Sequence, residues 1–322
     1  MRFVLRLFNW FLLLFVVSAV TFIAVNWAPD RPVKELQSRW APSPSQFMEI
    51  DGLQVHFRDE GLREDSTPIV LLHGTGASLH TWNGWVEALK NEHRVIRFDM
   101  PAFGLTGPSP ENNYTIEYYS KVVVAVLDKL QIKRCILAGN SLGGYVAWAT
   151  AVLHPSKVEQ LVLIDASGYP IEAQSVPIGF KIARTPVLSR LMRHVLPRGI
   201  VESSLKSVYG NPSLVTSELI DRYYDLATRA GNRQALVERF RQTQAGPLAK
   251  SVSGIQIPTL ILWGGRDKLI PSALGERFHK EIVGSQLVIF DELGHVPQEE
   301  EPAKTVIAFK QFLAHQNDNK VG

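Results

Sequence analysis

A single cysteine, Cys135, stands among the 322 residues, so an internal disulfide is excluded and the redox compartment is left undecided. Inside the apolar run Cys135-Ile136-Leu137-Ala138 its thiol is expected to pack as a small hydrophobe. No cluster of Cys, His, Asp and Glu has metal-ligand spacing, and no G-x-G-x-x-G opens a strand-helix-strand unit. Neither a metal nor an organic cofactor is therefore expected. Internal repeats and low-complexity tracts are missing. Charge of one sign is scarce too, with 34 Lys and Arg against 31 Asp and Glu and a net charge of +3. No recognised nucleic-acid-binding motif accompanies that charge, so nucleic acid is not an expected partner.

What charge there is lies unevenly. Residues 1–40 carry +3, residues 171–254 carry +6, and the remainder carries −6. A surface positive in the first two segments favours anionic lipid head groups.

One long apolar run is present. Leu7 to Ala28 holds 22 residues without a charge. As a helix it would reach roughly 33 Å, enough for a hydrocarbon core of about 30 Å. Arg2 and Arg6 precede it, which predicts a cytoplasmic N-terminus and a single span, with the remaining chain exported, to the periplasm in a Gram-negative cell. A cleaved signal peptide is the alternative, but it expects an apolar core of about 7–15 residues and a small-x-small cleavage site. This run is longer and ends on Asn26-Trp27-Ala28. Trp10 and Trp27 stand near the two expected interfaces. No small-xxx-small glycine pattern supports dimerisation through the run, and a homodimer stays an open option. Prolines at 29, 32, 42 and 44 mark a connector over 29–45, in which Pro32 to Trp40 is expected to be a helix at the bilayer surface.

From residue 46 onward the pattern is that of strands alternating with helices. Gln46–Ile50 and Leu53–Asp59 flank Asp51-Gly52, a strong hairpin signal. Ile69–Leu72, Arg94–Phe98, Cys135–Ala138 and Leu161–Ile164 read as strands; Thr81–Lys90, Thr115–Leu130 and Tyr145–Leu153 read as helices. That order predicts an α/β fold with a mostly parallel sheet covered by helices on both faces. Alternation stops after Asp165 and resumes at Pro258, and the block between reads as several helices. Val176, Ile178, Phe180, Ile182, Val187, Leu188, Leu191, Met192 and Val195 make its first part apolar, as a wall of an acyl-chain pocket, a lipid-facing surface, or packing on the core. The expected division is an anchor over 1–28, a connector over 29–45, a core over 46–168 and 255–322, and a helical cap over 169–254.

Chemistry enters at Gly139-Asn140-Ser141-Leu142-Gly143-Gly144. A G-x-S-x-G pattern between a buried strand and a helix is the context of a nucleophile elbow, which raises the serine hydroxyl above the sheet edge. Ile69-Val70-Leu71-Leu72 runs into His73-Gly74-Thr75-Gly76, and Leu260-Ile261-Leu262-Trp263 runs into Gly264-Gly265-Arg266-Asp267. A last strand, Gln286 to Phe290, leads to Gly294-His295. The chain order Ser, Asp, His and these four motifs resemble the α/β-hydrolase superfamily, serine esterase and lipase branch, over residues 46 to 315.

That resemblance implies Ser141 as nucleophile, His295 as general base and then acid, and Asp267 as the carboxylate that orients His295. Asp165, at the end of the preceding strand, is the alternative acid, since some relatives place it there. Asp99 resembles the family's structural aspartate and is expected to form a turn. The oxyanion would be met by the backbone N–H groups of Leu142 and Thr75, with Gly76 as the alternative to Thr75. His73 is expected to shape its loop and not to react.

One N-terminal span joined to a capped α/β-hydrolase resembles the bacterial inner-membrane phospholipase A and lysophospholipase group. The implied function is a membrane-anchored serine ester hydrolase for lipids, with the bilayer as partner and the anchor keeping substrate at high effective concentration. Gly-Asn-Ser-x-Gly-Gly also resembles carbon–carbon bond hydrolases acting on aromatic ring-cleavage products, although those usually carry a proline in the oxyanion loop where this chain has Gly76-Ala77-Ser78. A general short-chain carboxylesterase and a non-catalytic tethered receptor are the other readings. Dehalogenase and epoxide hydrolase are disfavoured, because both place Asp where Ser141 stands.

Overall fold

The structure, a computed structural model, describes residues 2–170, 173–244 and 246–321. Met1, Gly322 and, within the span expected to be the cap, Ile171, Glu172 and Ala245 lie outside the described residues. Helix α1 (Arg2–Val25) leads through α2 (Val33–Trp40) to a hairpin, β1 (Gln46–Ile50) and β2 (Leu53–Gly61). Then come β3 (Ile69–Leu72), α3 (Asn83–Leu89), β4 (Arg94–Phe98), α4 (Ile116–Lys129), β5 (Cys135–Asn140), α5 (Leu142–Leu153) and β6 (Val158–Ile164). Five helices follow: α6 (Ile178–Arg184), α7 (Pro186–Met192), α8 (Arg198–Val208), α9 (Ser217–Ala227) and α10 (Asn232–Gln242). The chain closes with β7 (Thr259–Gly264), α11 (Ala273–Glu281), β8 (Gln286–Phe290), α12 (Pro297–Glu300) and α13 (Pro302–Val321).

The eight strands form one sheet in the order β1-β2-β4-β3-β5-β6-β7-β8. The pairs β1–β2 and β2–β4 are antiparallel and the others parallel. Strands buried on both faces read as continuous apolar runs because alternate side chains enter two different cores. Val70, Leu72, Leu137, Leu161 and Leu163 join α4 and α5 on one face. Ile69, Leu71, Ile136, Ala138, Val162 and Ile164 join α3 and α13 on the other. Parallel pairing brings the carboxyl ends of β3, β5, β6, β7 and β8 to one edge, where open α/β sheets hold their sites.

Several boundaries differ from expectation. Thr81–Lys90 is not one helix: Leu79–Trp82 forms a 3₁₀ turn before α3, because Asp99 Oδ1 accepts the Leu79 amide at 2.8 Å and fixes that loop. Among the described residues one helix, within Phe3–Val25, is long and apolar enough to cross a membrane by length and composition. It ends at Val25 and not at Ala28. Asn26 to Ala28 instead pair with the helical block: Ala28 N donates to His194 O at 2.8 Å, Leu196 N donates to Asn26 O at 3.0 Å, and Trp27 stacks on His194. Helix α2 forms as predicted, yet it docks on the protein body. Leu36 and Trp40 are buried against Leu105 and Leu226, while Arg31, Arg39 and the Trp40 indole all reach Asp225 of α9.

Candidate active site

The sharp turn from β5 to α5 is built as the sequence requires. Ser141 has φ 56° and ψ −115°, a strained backbone for an L-residue. A Cβ on Gly139 would strike the Gly143 carbonyl, and one on Gly143 would strike the Leu72 carbonyl, so only glycine fits either place. Leu142 opens α5, which leaves its N–H without a helical acceptor and beside the positive end of the helix.

Ser141, Asp267 and His295 converge at the sheet edge, all buried. His295 Nδ1 lies 2.6 Å from Asp267 Oδ2. The other Asp267 oxygen accepts the amides of Leu269 and Ile270 at 2.8 and 2.9 Å, which fixes the carboxylate's orientation. Ser141 and His295 face one cavity. Asp165, the alternative acid, does not contact His295 by hydrogen bond; its Oδ1 accepts the Gly264 amide at 3.0 Å. Burial, and then the neighbouring Asp267 carboxylate, raise its pKa well above the ordinary range. Asp165, Asp267 and His295 offer atoms within 4.8 Å of one another, a spacing that would admit a cation. Burial that raises the Asp165 pKa, and a His295 nitrogen already bonded to Asp267, make this a poor donor set for an ion.

The surrounding loops are tied down by contacts across long stretches of chain. His73 donates from Nδ1 to the Gly74 carbonyl at 2.8 Å and accepts the Met100 amide on Nε2 at 2.9 Å, so both nitrogens are spent on shaping the loop. Asp99 is a buried acceptor for Leu79, Leu105 and His56. Although burial opposes its charge, His56 holds Asp99 ionised, well below the usual range. Thr75 is half-buried at the mouth of β3, and its hydroxyl accepts from Arg239 Nη2 at 2.6 Å. Gly76 takes φ 76° within the same turn.

Three positioning groups escaped sequence reasoning. Asn140 Nδ2 donates to the His295 carbonyl at 2.9 Å and to Ile164 O at 3.2 Å, joining the elbow to the histidine loop. Glu300 accepts the amides of Gly294, Gly210 and Asn211 at 2.8, 3.0 and 2.6 Å, joining that loop to the end of α8. Arg239 reaches the Thr75 loop from α10. The only local signal was Glu at the end of the α12 sequence, just after Gly294-His295.

Two cavities meet at Ser141. One, of about 370 Å³, is lined by Ser141, His295 and apolar side chains including Phe180, Leu191, Met192, Ile200 and Leu205. Phe22 of α1 also contributes to its wall. In the apolar first part of the helical block, Ala183 and Met192 pack with Val237 of α10, within the block and apart from the two main cores, while Leu188, Leu191 and Val195 face the cavity. The second cavity, of about 610 Å³, shares Thr75, Ser141, Phe180 and Leu269 with the first but is lined by Ser167, Tyr169, Arg184, Arg239 and Thr243 as well.

A family profile described as "alpha/beta hydrolase fold" matches residues 67–302. The chain is similar to a 2-hydroxy-6-oxo-2,4-heptadienoate hydrolase of Pseudomonas putida, 30% identical over 275 residues that span 82% of this chain and 94% of that protein. It is 29% identical over 276 residues to a 2-hydroxymuconate semialdehyde hydrolase of a Pseudomonas species, covering 82% of this chain and 91% of that one. Among solved structures, a bacterial membrane phospholipase A described as a virulence factor superposes with a TM-score of 0.73 at 25% identity, covering 96% of this chain and 98% of that one.

Proposed function

From the premise that the chain belongs to the α/β-hydrolase superfamily and is a hydrolase, we propose that it is a membrane-anchored serine ester hydrolase acting on acyl esters of lipids. The observation that carries this reading is the apolar cavity that meets Ser141 and His295 and is walled in part by Phe22 of the N-terminal helix. An acyl chain is the ligand such a lining suits, and a helix able to cross a bilayer supplies a wall of the same cavity. The likeness to the membrane phospholipase A supports it further: coverage of 96% leaves too few residues outside to omit the whole of α1.

In this reading Ser141 Oγ attacks the ester carbonyl as His295 takes its proton. Asp267, bonded to His295 Nδ1, keeps the other ring nitrogen free for that proton and stabilises the imidazolium. The oxyanion is met by the N–H groups of Leu142 and Thr75. His295 then protonates the leaving alcohol, and water, deprotonated by His295, releases the fatty acid from Ser141. Helix α1 spans the membrane with its N-terminus in the cytoplasm, and the catalytic body lies on the far side. The test is fatty-acid release from phospholipid vesicles and from lysophospholipid, with Ser141→Ala as control.

A second reading has its own support. Two relatives, at 30% and 29% identity, are named a 2-hydroxy-6-oxo-2,4-heptadienoate hydrolase and a 2-hydroxymuconate semialdehyde hydrolase, which supports the carbon–carbon bond hydrolase reading. Turnover of a vinylogous 1,5-diketone, with none of any ester, would install that reading in place of the first.

A further inference from the structure

The second cavity contains a charge that the protein leaves uncompensated. Arg239, on α10, is buried. Its Nη2 donates to Thr75 Oγ1 at 2.6 Å and its Nη1 to Thr243 Oγ1 at 3.0 Å, both neutral acceptors. Its Nε has no protein partner. Among the described residues no carboxylate forms an ion pair with it; Glu238, its neighbour in sequence, is turned to Arg241 and Gln234. Burial lowers the guanidinium pKa, yet an arginine in a protein keeps its proton. A buried cation without a counterion is costly, which is why most are paired. Arg239 is therefore poised for an anion that comes from outside.

Its placement says which part of a substrate that anion would be. Arg239 touches the oxyanion loop through Thr75, so an anion on it stands close to the scissile carbonyl without occupying the nucleophile's position. Arg184 lines the same cavity and lies 4.6 Å from the Phe240 ring that Arg239 also faces at 5.0 Å. Arg184 is exposed where Arg239 is buried, so positive charge runs from the rim inward. The other cavity at Ser141 is apolar. An amphiphile whose ester lies at Ser141 would thus place its chain on one side and its charged end on the other.

We propose that Arg239 is the core of a head-group subsite that binds the phosphate of a phospholipid or lysophospholipid during cleavage of its acyl ester. The inference rests on the ester-hydrolase reading and narrows it to anionic head groups. Arginine suits the task because its planar fork matches phosphate oxygens. Arg184 would draw the head group towards the cavity and Arg239 would seat it.

The test uses the full-length protein in detergent micelles. Glycerol 3-phosphate is titrated calorimetrically into the Ser141→Ala protein, with glycerol as the uncharged control, and again with Arg239→Gln added. Hydrolysis of a lysophosphatidylglycerol is compared with that of a monoacylglycerol of the same chain, in the parent and in Arg239→Gln and Arg239→Lys. The expected result is binding of glycerol 3-phosphate and not of glycerol, lost in the Gln variant. The kcat/KM ratio of phospholipid to neutral lipid should fall about tenfold or more in that variant, as loss of a charged hydrogen bond implies, and recover in part with Lys. Competitive inhibition of the parent by glycerol 3-phosphate needs no variant and covers the case in which Arg239→Gln does not fold. Equal behaviour of glycerol and glycerol 3-phosphate, or an unchanged ratio, overturns the inference. Binding of a dicarboxylate with glycerol 3-phosphate ignored also overturns it, assigning the site to a carboxylate substrate. Absence of all ester cleavage refutes the functional reading, while the calorimetry still decides the subsite.

Discussion

His295 Nδ1 lies 2.6 Å from Asp267 Oδ2, and Asp165 stands beside the pair without a hydrogen bond to the imidazole. The two aspartates therefore have different work. Asp267→Asn should leave the loop in place but favour the wrong imidazole tautomer, lowering kcat by about 10⁴-fold. Asp165→Asn alters a side chain that makes no hydrogen bond to the imidazole and should cost less than about tenfold. Esterase assays on both variants separate the assignments; the reverse order would make Asp165 the orienting acid.

The same aspartate predicts a pH effect on stability. Asp165 has a raised pKa in the folded chain, whereas an unfolded aspartate titrates near about 3.9. Its proton-linked stability is complete below that unfolded value and is lost as pH rises through the folded one. Asparagine has no proton to release. Thermal unfolding should show Asp165→Asn gaining on the parent as pH rises above about 4; a constant difference between the two would count against a raised Asp165 pKa.

Glu300 joins three amides from two segments, those of Gly210, Asn211 and Gly294. Glu300→Ala should destabilise the fold by about 2–4 kcal/mol in urea unfolding, since buried donors lose a charged acceptor. It should also lower kcat more than it changes KM, because His295 is displaced and the cavity walls are not.

Ile200 lines the apolar cavity and is half-buried. Ile200→Trp should shorten the acyl chain accepted, lowering kcat/KM for long-chain esters by about tenfold or more while short esters are kept, as steric exclusion from a packed pocket would do. Equal loss for all chain lengths would mean the acyl chain lies elsewhere.

Helix α1 is exposed along nearly its whole length. Two arginines at its centre, Leu13→Arg with Val16→Arg, should release the protein from carbonate-washed membranes, since each costs about 2.5–3.5 kcal/mol at mid-bilayer. Retention in the membrane fraction would contradict the anchor.

How much of this was legible in the sequence depends on the range of the interaction. Strands β1, β3, β4 and β8 were read with the ends they have: β3 is an unbroken apolar run buried on both faces, and β1 was set by the Asp51-Gly52 hairpin signal. Ser141 and the carboxyl-end placement of Asp267 and His295 followed from local strand-turn patterns, although only the structure shows which aspartate meets the imidazole. Arg239 binding Thr75, 164 residues away, left no local trace. Nor did Asn140 reaching His295, or Glu300 reaching Gly210. Helix α2 was visible as a helix, yet its docking depends on Asp225 of α9, which no periodicity reports.

The most direct test of the central claim is fatty-acid release from phospholipid vesicles by the full-length protein beside Ser141→Ala. The account predicts steady release by the parent and, in the mutant, a fall of about 10³-fold or more, to background. Release that persists undiminished in Ser141→Ala, or its absence from a parent that still cleaves a ring-cleavage diketone, would contradict it.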